Sequence, residues 1–550
     1  MSISYRARPY VCGAIGKWDA RIAERLVSAS PRGLDEVHRS PLATLWSTGE
    51  PENWSRGPLS GYLWWPAAGS VPQPRSWREA AERRLAAGLV LEPGGAVLHT
   101  DALGLHELNV RRVGDALYFS TRIDPLTRLD DRPLTIDWSA WANLLVMMTP
   151  LGDETPFAQI RHMEPATAWR AGPDVPGGVR VERFEPGWLA ADPGKPPAPE
   201  DVVELIADRI PHRAGPVAIG LSGGWDSRLL AALAVRRPTA QIEAWTTSTD
   251  DGLDLDIPHA RTVAATLGVP HHVVRPGPEA WLHEHREVWL RTQYQTLHHA
   301  WAMPYARAVH RLRAPLIDGC LGDALFRTRG DHAEASEAPS RDEAREITWR
   351  ALSTHFPRQP EVWAPGVGDA IAELGLSAFH RVMRPFDGHH ASPVLARLHT
   401  RYRGIYTSPT WLLGPEAEIW LPFADPDVIT AAMSVPLSAR RDHAYFLAML
   451  RYGAPRVAAL PSTNDPGEKP APGPQRKTSP AALSALAASI AASEDVRSLL
   501  GPRMLATLTD PELRARQTRW SGPLYVLQWA SMLARWRTEY GSRLRWSPLT

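Results

Sequence analysis

The chain has 550 residues, 44% hydrophobic and 22% charged, a composition typical of folded soluble proteins and a length that exceeds one ordinary core, so two to three independently folding domains are expected. Sixty-one Lys and Arg against sixty Asp and Glu leave a formal charge of +1 with no long basic stripe, which argues against nucleic acid as a main partner. No apolar run approaches the roughly 20 residues of a membrane span, the polar start MSISYRARPY lacks a signal-peptide core, and two cysteines, Cys12 and Cys320, are too few for a disulfide framework or a Cys-rich zinc site. The expected address is the cytoplasm, with no membrane partner.

In chain order, the first clear break is EPGWLAADPGKPPAPE, Glu185 to Glu200, where five prolines and two glycines oppose regular structure. It predicts a domain over residues 1–190, a Pro-rich linker over 191–200 and a second domain over 201–550. Asp201 is placed to cap a helix whose apolar residues Val202, Val203, Ile206 and Ile210 recur at helical spacing. A regular alternation follows: strand Val217–Leu221, helix Ser227–Val235, strand Ile242–Thr247, helix Ile257–Leu267 stopped at Gly268, and strand His271–Val274. That alternation predicts an α/β domain with a doubly wound parallel sheet. The histidines show no HExxH spacing, and the pairs His271-His272, His298-His299 and His389-His390 could be metal ligands but read more simply as loop or strand-end histidines. Near the C-terminus PSTNDPGEKPAPGPQRKTSP, Pro461 to Pro480, holds six prolines and reads as a surface loop, either a lid or a plain insert.

The stretch VAIGLSGGWDSRLLAAL, Val217 to Leu233, runs a strand into a Gly-rich turn and then a helix. Backbone N–H groups around Ser222, Gly223 and Gly224 can converge on an anion, because glycine tolerates the φ values and close approach required, and the following helix adds its positive end. The string is neither GxxxxGK[ST] nor GxGxxG. It resembles the pyrophosphate loop of ATP pyrophosphatases and, within them, asparagine synthetase-like synthetase domains. LIDGCLGDALF, Leu316 to Phe326, is similar to their GADELF segment, and AEIWLPFADPDVITAAMSVPL, Ala417 to Leu437, is similar to their EVRxPFLD stretch.

The resemblance implies ATP and Mg²⁺ as cofactors and release of AMP and pyrophosphate. Asp226 and Asp323 match the magnesium aspartates, and Ser222, Gly223, Gly224 and Ser227 match the pyrophosphate cradle. Leu221, Thr247 and Gly322 fall on nucleotide-binding positions, with Ile219 and Thr246–Ser248 near the adenine. Asp254 and Asp256 lie at the same edge, with helix capping as their simpler role. Glu418 matches the glutamate before PFLD, and Lys477 stands where the β-lactam-forming relatives carry a catalytic lysine, with Lys469 as competitor. Departures fall at Arg228, where a second Ser or Thr is common, at Trp420 in place of Arg, and at Cys320 and Ala324 in place of Glu.

VCGAIGKWD, Val11 to Asp19, resembles the opening of a class II, Ntn-type glutaminase shifted inward, and Ala96 to Leu126 resembles that domain's terminal strands. Cys12 has no free α-amine unless the start lies at Val11 or a leader is removed, and NGEIYN-like and hRGPDD segments are absent. The expectation is a glutaminase-like αββα domain without glutaminase activity. The leading functional expectation is an AMP-forming ligase resembling lasso-peptide macrolactam cyclases, acting on a ribosomal peptide beside leader-binding and protease partners. Glutamine-hydrolysing asparagine synthetase and β-lactam synthetase are the alternatives; a nucleic-acid-modifying relative is disfavoured by the neutral charge and missing CxxC, and a non-catalytic scaffold by the retained aspartates.

Overall fold

In the computed structural model, residues 4–5, 9–65, 73–212, 214–237, 239–247, 255–275, 277, 279–327, 334–335, 337–354, 356–414, 417–465, 479–516 and 522–549 are described, the side chains of 405–409 excepted. Lys469, Lys477, Ser248 and Asp254 lie outside the described residues.

Two six-stranded antiparallel sheets form the N-terminal part. The first runs Arg161–His162, Asn109–Val113, Ala116–Ser120, Val11–Gly16, Ala43–Ser47, Asp35–Ser40, and the second Val179–Arg183, Thr167–Ala171, Gly95–His99, Ala87–Glu92, Leu59–Trp64, Glu52–Arg56. Strand alternation sorts their side chains. Val11 and Ile15 join Leu89 and Leu98 of the facing sheet, whereas Cys12 and Ala14 join Ala23 and Leu26 of helix Ala20–Ser28 on the outside. Helix Trp77–Arg83 covers the far face of the second sheet, completing an αββα sandwich. Gly13 has to be glycine, since a Cβ there would lie 2.1 Å from Thr44 O and 2.5 Å from the Phe119 ring.

The C-terminal part is built on a third six-stranded sheet in the order Ser4–Tyr5, Ile419–Trp420, Leu316–Ile317, Gly215–Gly220, Ala240–Thr247, His271–Val274. All pairings are parallel except that of the edge strand Ser4–Tyr5, which runs antiparallel to Ile419–Trp420. The helices Trp225–Val235 and Asp256–Leu267 connect the strands where the alternation places them. The helix expected after the linker begins earlier, at Pro199, with Ala198 as its N-cap, so Asp201 lies in the first turn and does not cap. Proline suits that first turn because its missing N–H has no helical acceptor there. Within the stretch expected to be irregular, Gly187–Ala190 forms a 3₁₀ turn.

The two parts share one aromatic core, contrary to the expectation of separate cores. Helix Trp138–Val146 packs on the long C-terminal helix Pro523–Tyr540: Trp141 stands edge-on to Trp529 and Trp536 at 6.4 and 5.2 Å, and Trp529 Nε1 donates to Trp141 O at 2.9 Å. Tyr525 Oη donates to Leu144 O at 2.5 Å. Tryptophan brings a large apolar area with one N–H, which Trp529 satisfies on Trp141 O while Trp141 Nε1 and Trp536 Nε1 have no acceptor among the described residues; burial of the three accounts for part of the high tryptophan content. Among the described residues no helix is long and apolar enough to cross a membrane.

Candidate active site

Strand order in the parallel sheet reverses between Gly215–Gly220 and Leu316–Ile317, because the chain leaves the first strand toward Ala240–Thr247 on one side and returns on the other. Connections then diverge above the C-terminal ends of those strands and leave a crevice, the usual ligand position in open α/β sheets. A cavity of about 260 Å³ lies there, lined by Gly220, Leu221, Ser222, Asp226 and Ser227 after one strand, Asp318 and Gly319 after the other, and Trp245, Thr246, Thr247, Asp256, Trp301 and Tyr305 around them.

The turn after the first strand is held open by side-chain acceptors on successive amides. Ser222 N donates to Ser227 Oγ at 3.0 Å, Gly223 N to Asp256 Oδ1 at 2.7 Å, Gly224 N to Ser222 Oγ at 3.2 Å, and Trp225 N to Asn464 Oδ1 at 3.1 Å. These oxygens occupy the donors an anion would use, and the Asp256 carboxylate is itself an anion on that set. Asp256 is the first residue of its own helix, with Leu255 at the N-cap, so it serves the loop and does not cap, a correction to the simpler reading. At Gly223 a Cβ would lie 2.6 Å from Thr463 Cγ2.

Beneath the loop, Arg228 is fully buried and donates to Val457 O, Leu460 O and Pro461 O at 3.1, 2.6 and 2.7 Å. Burial pulls its pKa down, an effect Asp465 opposes. The residues Arg228 grips lead directly into Ser462, whose Oγ donates to Gly223 O at 3.0 Å, and Thr463, whose N donates to the same oxygen at 3.1 Å. The departure from Ser or Thr thus replaces a short hydroxyl by a clamp that bolts the start of the Pro-rich stretch onto the turn.

Asp226 lies in the first turn of Trp225–Val235 and Asp323 in the first turn of Gly322–Phe326. Gly322 allows the two turns to approach, since a Cβ on it would sit 2.6 Å from Asp226 Oδ1. Between the carboxylates is Arg327, with Nη2 2.8 Å from Asp226 Oδ2 and 3.7 Å from Asp323 Oδ2. Carboxylate oxygens on facing turns are the hard donors Mg²⁺ prefers, so these residues fit such an ion. Leu321, just before, holds φ +83°, a left-handed conformation that costs a non-glycine residue about 1–3 kcal/mol and is concentrated at functional sites.

On the opposite wall Tyr305 Oη is buried without a partner among the described residues, and Asp318 Oδ1 accepts from Cys320 N at 2.8 Å. Burial raises the pKa of both groups, and the Asp318 charge raises that of Tyr305 further. Gly220 makes room for them, because a Cβ there would lie 3.2 Å from Tyr305 Oη and 4.0 Å from Asp318 Oδ2. Cys320 is a buried thiol whose pKa is pushed well up by burial and then by Asp318 and Asp323. On the far side Thr246 Oγ1 donates to Leu221 O at 2.5 Å, tying two strand ends together below Thr247.

The structure therefore brings Leu221, Ser222, Asp226, Ser227 and Thr247 to one cavity, with Gly223 and Gly224 in the same turn and Gly322 and Asp323 against Asp226. Glu418 is not among the cavity residues. It precedes the strand Ile419–Trp420, its O accepts from Leu316 N at 2.8 Å, and its Oε1 accepts from Trp420 Nε1 at 2.9 Å. Parallel pairing of Leu316 with Ile419 sets it level with the entry of that strand pair, at the end away from Asp318 and Gly319. Tyr305, Asp318, Asn464 and Arg327 were missed by sequence reasoning; only Arg327, four residues after Asp323, carried a local signal.

Cys12 is wholly buried against the helical layer, with Ser30 Oγ 3.8 Å from its sulfur. Burial pushes its pKa up to about 11, so it is a neutral thiol at physiological pH.

Three solved structures are similar to parts of the chain. A glutamine phosphoribosylpyrophosphate amidotransferase from B. subtilis, complexed with ADP and GMP, is 12% identical over 62% of this chain and 79% of that one, with a TM-score of 0.20. A U34-tRNA thiolase from Methanococcus maripaludis is 13% identical over 36% and 76%, TM-score 0.18, and an NMN synthetase from Francisella tularensis is 21% identical over 31% and 76%, TM-score 0.17. With TM-scores this low, none of the three bears on how the chain works. No curated protein matches the chain. The asparagine synthase model matches residues 202–537, which takes in the loop, both aspartates and the strand after Glu418. Spanning well over half of the sequence, that match settles the kinship: the chain belongs to the asparagine synthase family of ATP-dependent amide ligases.

Proposed function

We propose that the chain adenylates a peptide carboxylate with ATP, releasing pyrophosphate, and that the N-terminal amine of the same peptide then displaces AMP to close a macrolactam of the lasso type. The observation that carries the reading is the SGGWDS turn at the switch-point cavity, with Asp226 and Asp323 facing each other above it. In this reading the amides of Ser222 to Trp225 bind the pyrophosphate half of ATP once Asp256 and Asn464 yield them. Thr247 and Leu221 flank the base, and Asp226 and Asp323 hold Mg²⁺. Bound there, the ion neutralises polyphosphate charge and so favours loss of pyrophosphate. Lys477 is retained as the lysine proposed for amide closure, with Lys469 as competitor; Glu418 is kept as a positioning acid, acting through Trp420 and the strand it opens.

An internal amine is favoured over ammonia by the N-terminal part. Cys12 is buried in a central strand, and burial keeps its thiol protonated, so it lacks the thiolate of a glutaminase nucleophile. The protein is expected to release no glutamate from glutamine, and Cys12→Ala to leave ATP turnover unchanged. Glutamate release abolished by Cys12→Ala would favour the asparagine synthetase alternative.

Holding both ends of one peptide supplies the effective concentration that ring closure requires. The proposal places the protein in the cytoplasm beside a leader-binding protein and a protease that deliver the processed peptide. Mass spectrometry tests it. Incubated with ATP, Mg²⁺ and the core peptide encoded nearby, the protein should yield a product lighter by one water, with AMP and pyrophosphate formed in step. ADP as the nucleotide product, or unchanged peptide beside efficient conversion of aspartate to asparagine, would overturn it.

A further inference from the structure

The adenylation reading leaves Arg327 unexplained. Its guanidinium lies between the two carboxylates, touching Asp226 at 2.8 Å and nearing Asp323 at 3.7 Å, and its side chain is 11% exposed. The planar group sits over the rings of Trp225 and Phe446, 5.7 and 5.8 Å from their centroids. These rings fix its position without using its N–H groups. Nε is buried and has no acceptor among the described residues. A guanidinium has five N–H donors in a planar fork suited to phosphate oxygens. Here part of that fork is engaged by Asp226 and part is unused.

The geometry points to a dual role for Arg327, resting on the adenylation reading: it is the resident counter-cation of Asp226 and Asp323 while no divalent ion is bound, and a ligand of the ATP polyphosphate once one is. Two carboxylates on facing turns repel each other, and a cation between them holds the pair in place. Arg327 cannot keep its contact with Asp226 Oδ2 when that oxygen turns to a divalent cation, since like charges would then adjoin. It has a short path to follow, because the turn that would hold pyrophosphate ends one residue before Asp226, at Trp225, on whose ring Arg327 already rests. Its free Nε–H and the fork released from Asp226 would then meet phosphate oxygens. Arg327 thus competes with the metal in the empty site and assists the nucleotide in the filled one, so its removal has opposite effects on the two ligands.

Mn²⁺ binding to the full-length protein without nucleotide, followed by electron paramagnetic resonance, reads the first effect, and calorimetric titration with magnesium pyrophosphate reads the second. Arg327→Gln should bind Mn²⁺ about tenfold more tightly than the wild type, the scale of a charged hydrogen bond no longer displaced, and pyrophosphate about tenfold more weakly. Arg327→Met, which keeps a stem against Trp225 and Phe446, should do the same, and either variant suffices if the other is unstable. Arg327→Lys, keeping the charge, should restore Mn²⁺ affinity to within about twofold of the wild type. Unchanged or weaker Mn²⁺ binding in the uncharged variants overturns the counter-cation role, and unchanged pyrophosphate affinity overturns the phosphate role. Neither titration involves acyl substrate or turnover, so failure here is distinct from a wild-type protein that forms no AMP.

Discussion

Asp226→Asn and Asp323→Asn are each expected to lower kcat/KM for ATP-dependent turnover by about 10²–10³-fold, or about 3–4 kcal/mol of transition-state stabilisation. Each substitution keeps the shape of the side chain and removes one carboxylate charge aimed at the polyphosphate. The variants should part company in stability. Asp226 is the close partner of Arg327, and its neutral replacement leaves a mostly buried guanidinium with Asp323 alone at 3.7 Å. Asp226→Asn should therefore also lower Tm, whereas Asp323→Asn should leave Tm within a few degrees of the wild type. Pyrophosphate exchange into ATP, measured beside thermal melts, separates the effects. Near-normal exchange in both variants would mean that the paired carboxylates are not part of the nucleotide site.

The parallel sheet was legible because short strand-like runs alternate with helical ones: Val217, Ala218 and Ile219 are buried in succession, and along Ala240–Thr247 the buried Ile242, Ala244 and Thr246 alternate with more exposed residues. The strand expected over Val217–Leu221 is observed as Gly215–Gly220, and that expected over Ile242–Thr247 as Ala240–Thr247, shifts of one or two residues at the ends. Ser4–Tyr5 was not legible: two residues carry no period, and their partner strand lies more than four hundred residues away. Nor was the shared aromatic core, since helical spacing shows that a face is apolar and not which helix covers it. At the site the Gly-rich turn and both aspartates could be read from local strings. The acceptors on its amides could not, because Asp256 and Asn464 reach it from 33 and 239 residues along the chain. Glu418 shows the limit of string matching: the match to the glutamate before PFLD carries no strand direction, and only the register shows that Glu418 enters at the far end from the cavity.

Arg228→Ala is expected to lower stability by about 4 kcal/mol and Tm by about 4 °C, a large effect for one residue outside any aromatic cluster. Two costs add. A fully buried side chain is deleted, leaving a cavity, and three carbonyls, of Val457, Leu460 and Pro461, lose a shared donor. Arg228→Met separates them, since it fills most of the volume and supplies no donor, and it should recover less than half of the loss if hydrogen bonding dominates. Arg228→Lys should recover only part, because a single ammonium cannot reproduce a planar fork directed at three oxygens. The residues that Arg228 grips carry Ser462, Thr463 and Asn464 against Gly223 and Trp225, so loosening the grip should also raise the KM for ATP. A rise in KM with kcat retained, at a temperature where Arg228→Ala is still folded, would show that the clamp shapes the turn without taking part in the chemistry. A Tm unchanged from the wild type would contradict the clamp altogether, because Val457 O, Leu460 O and Pro461 O cannot lose a shared, fully buried charged donor without cost.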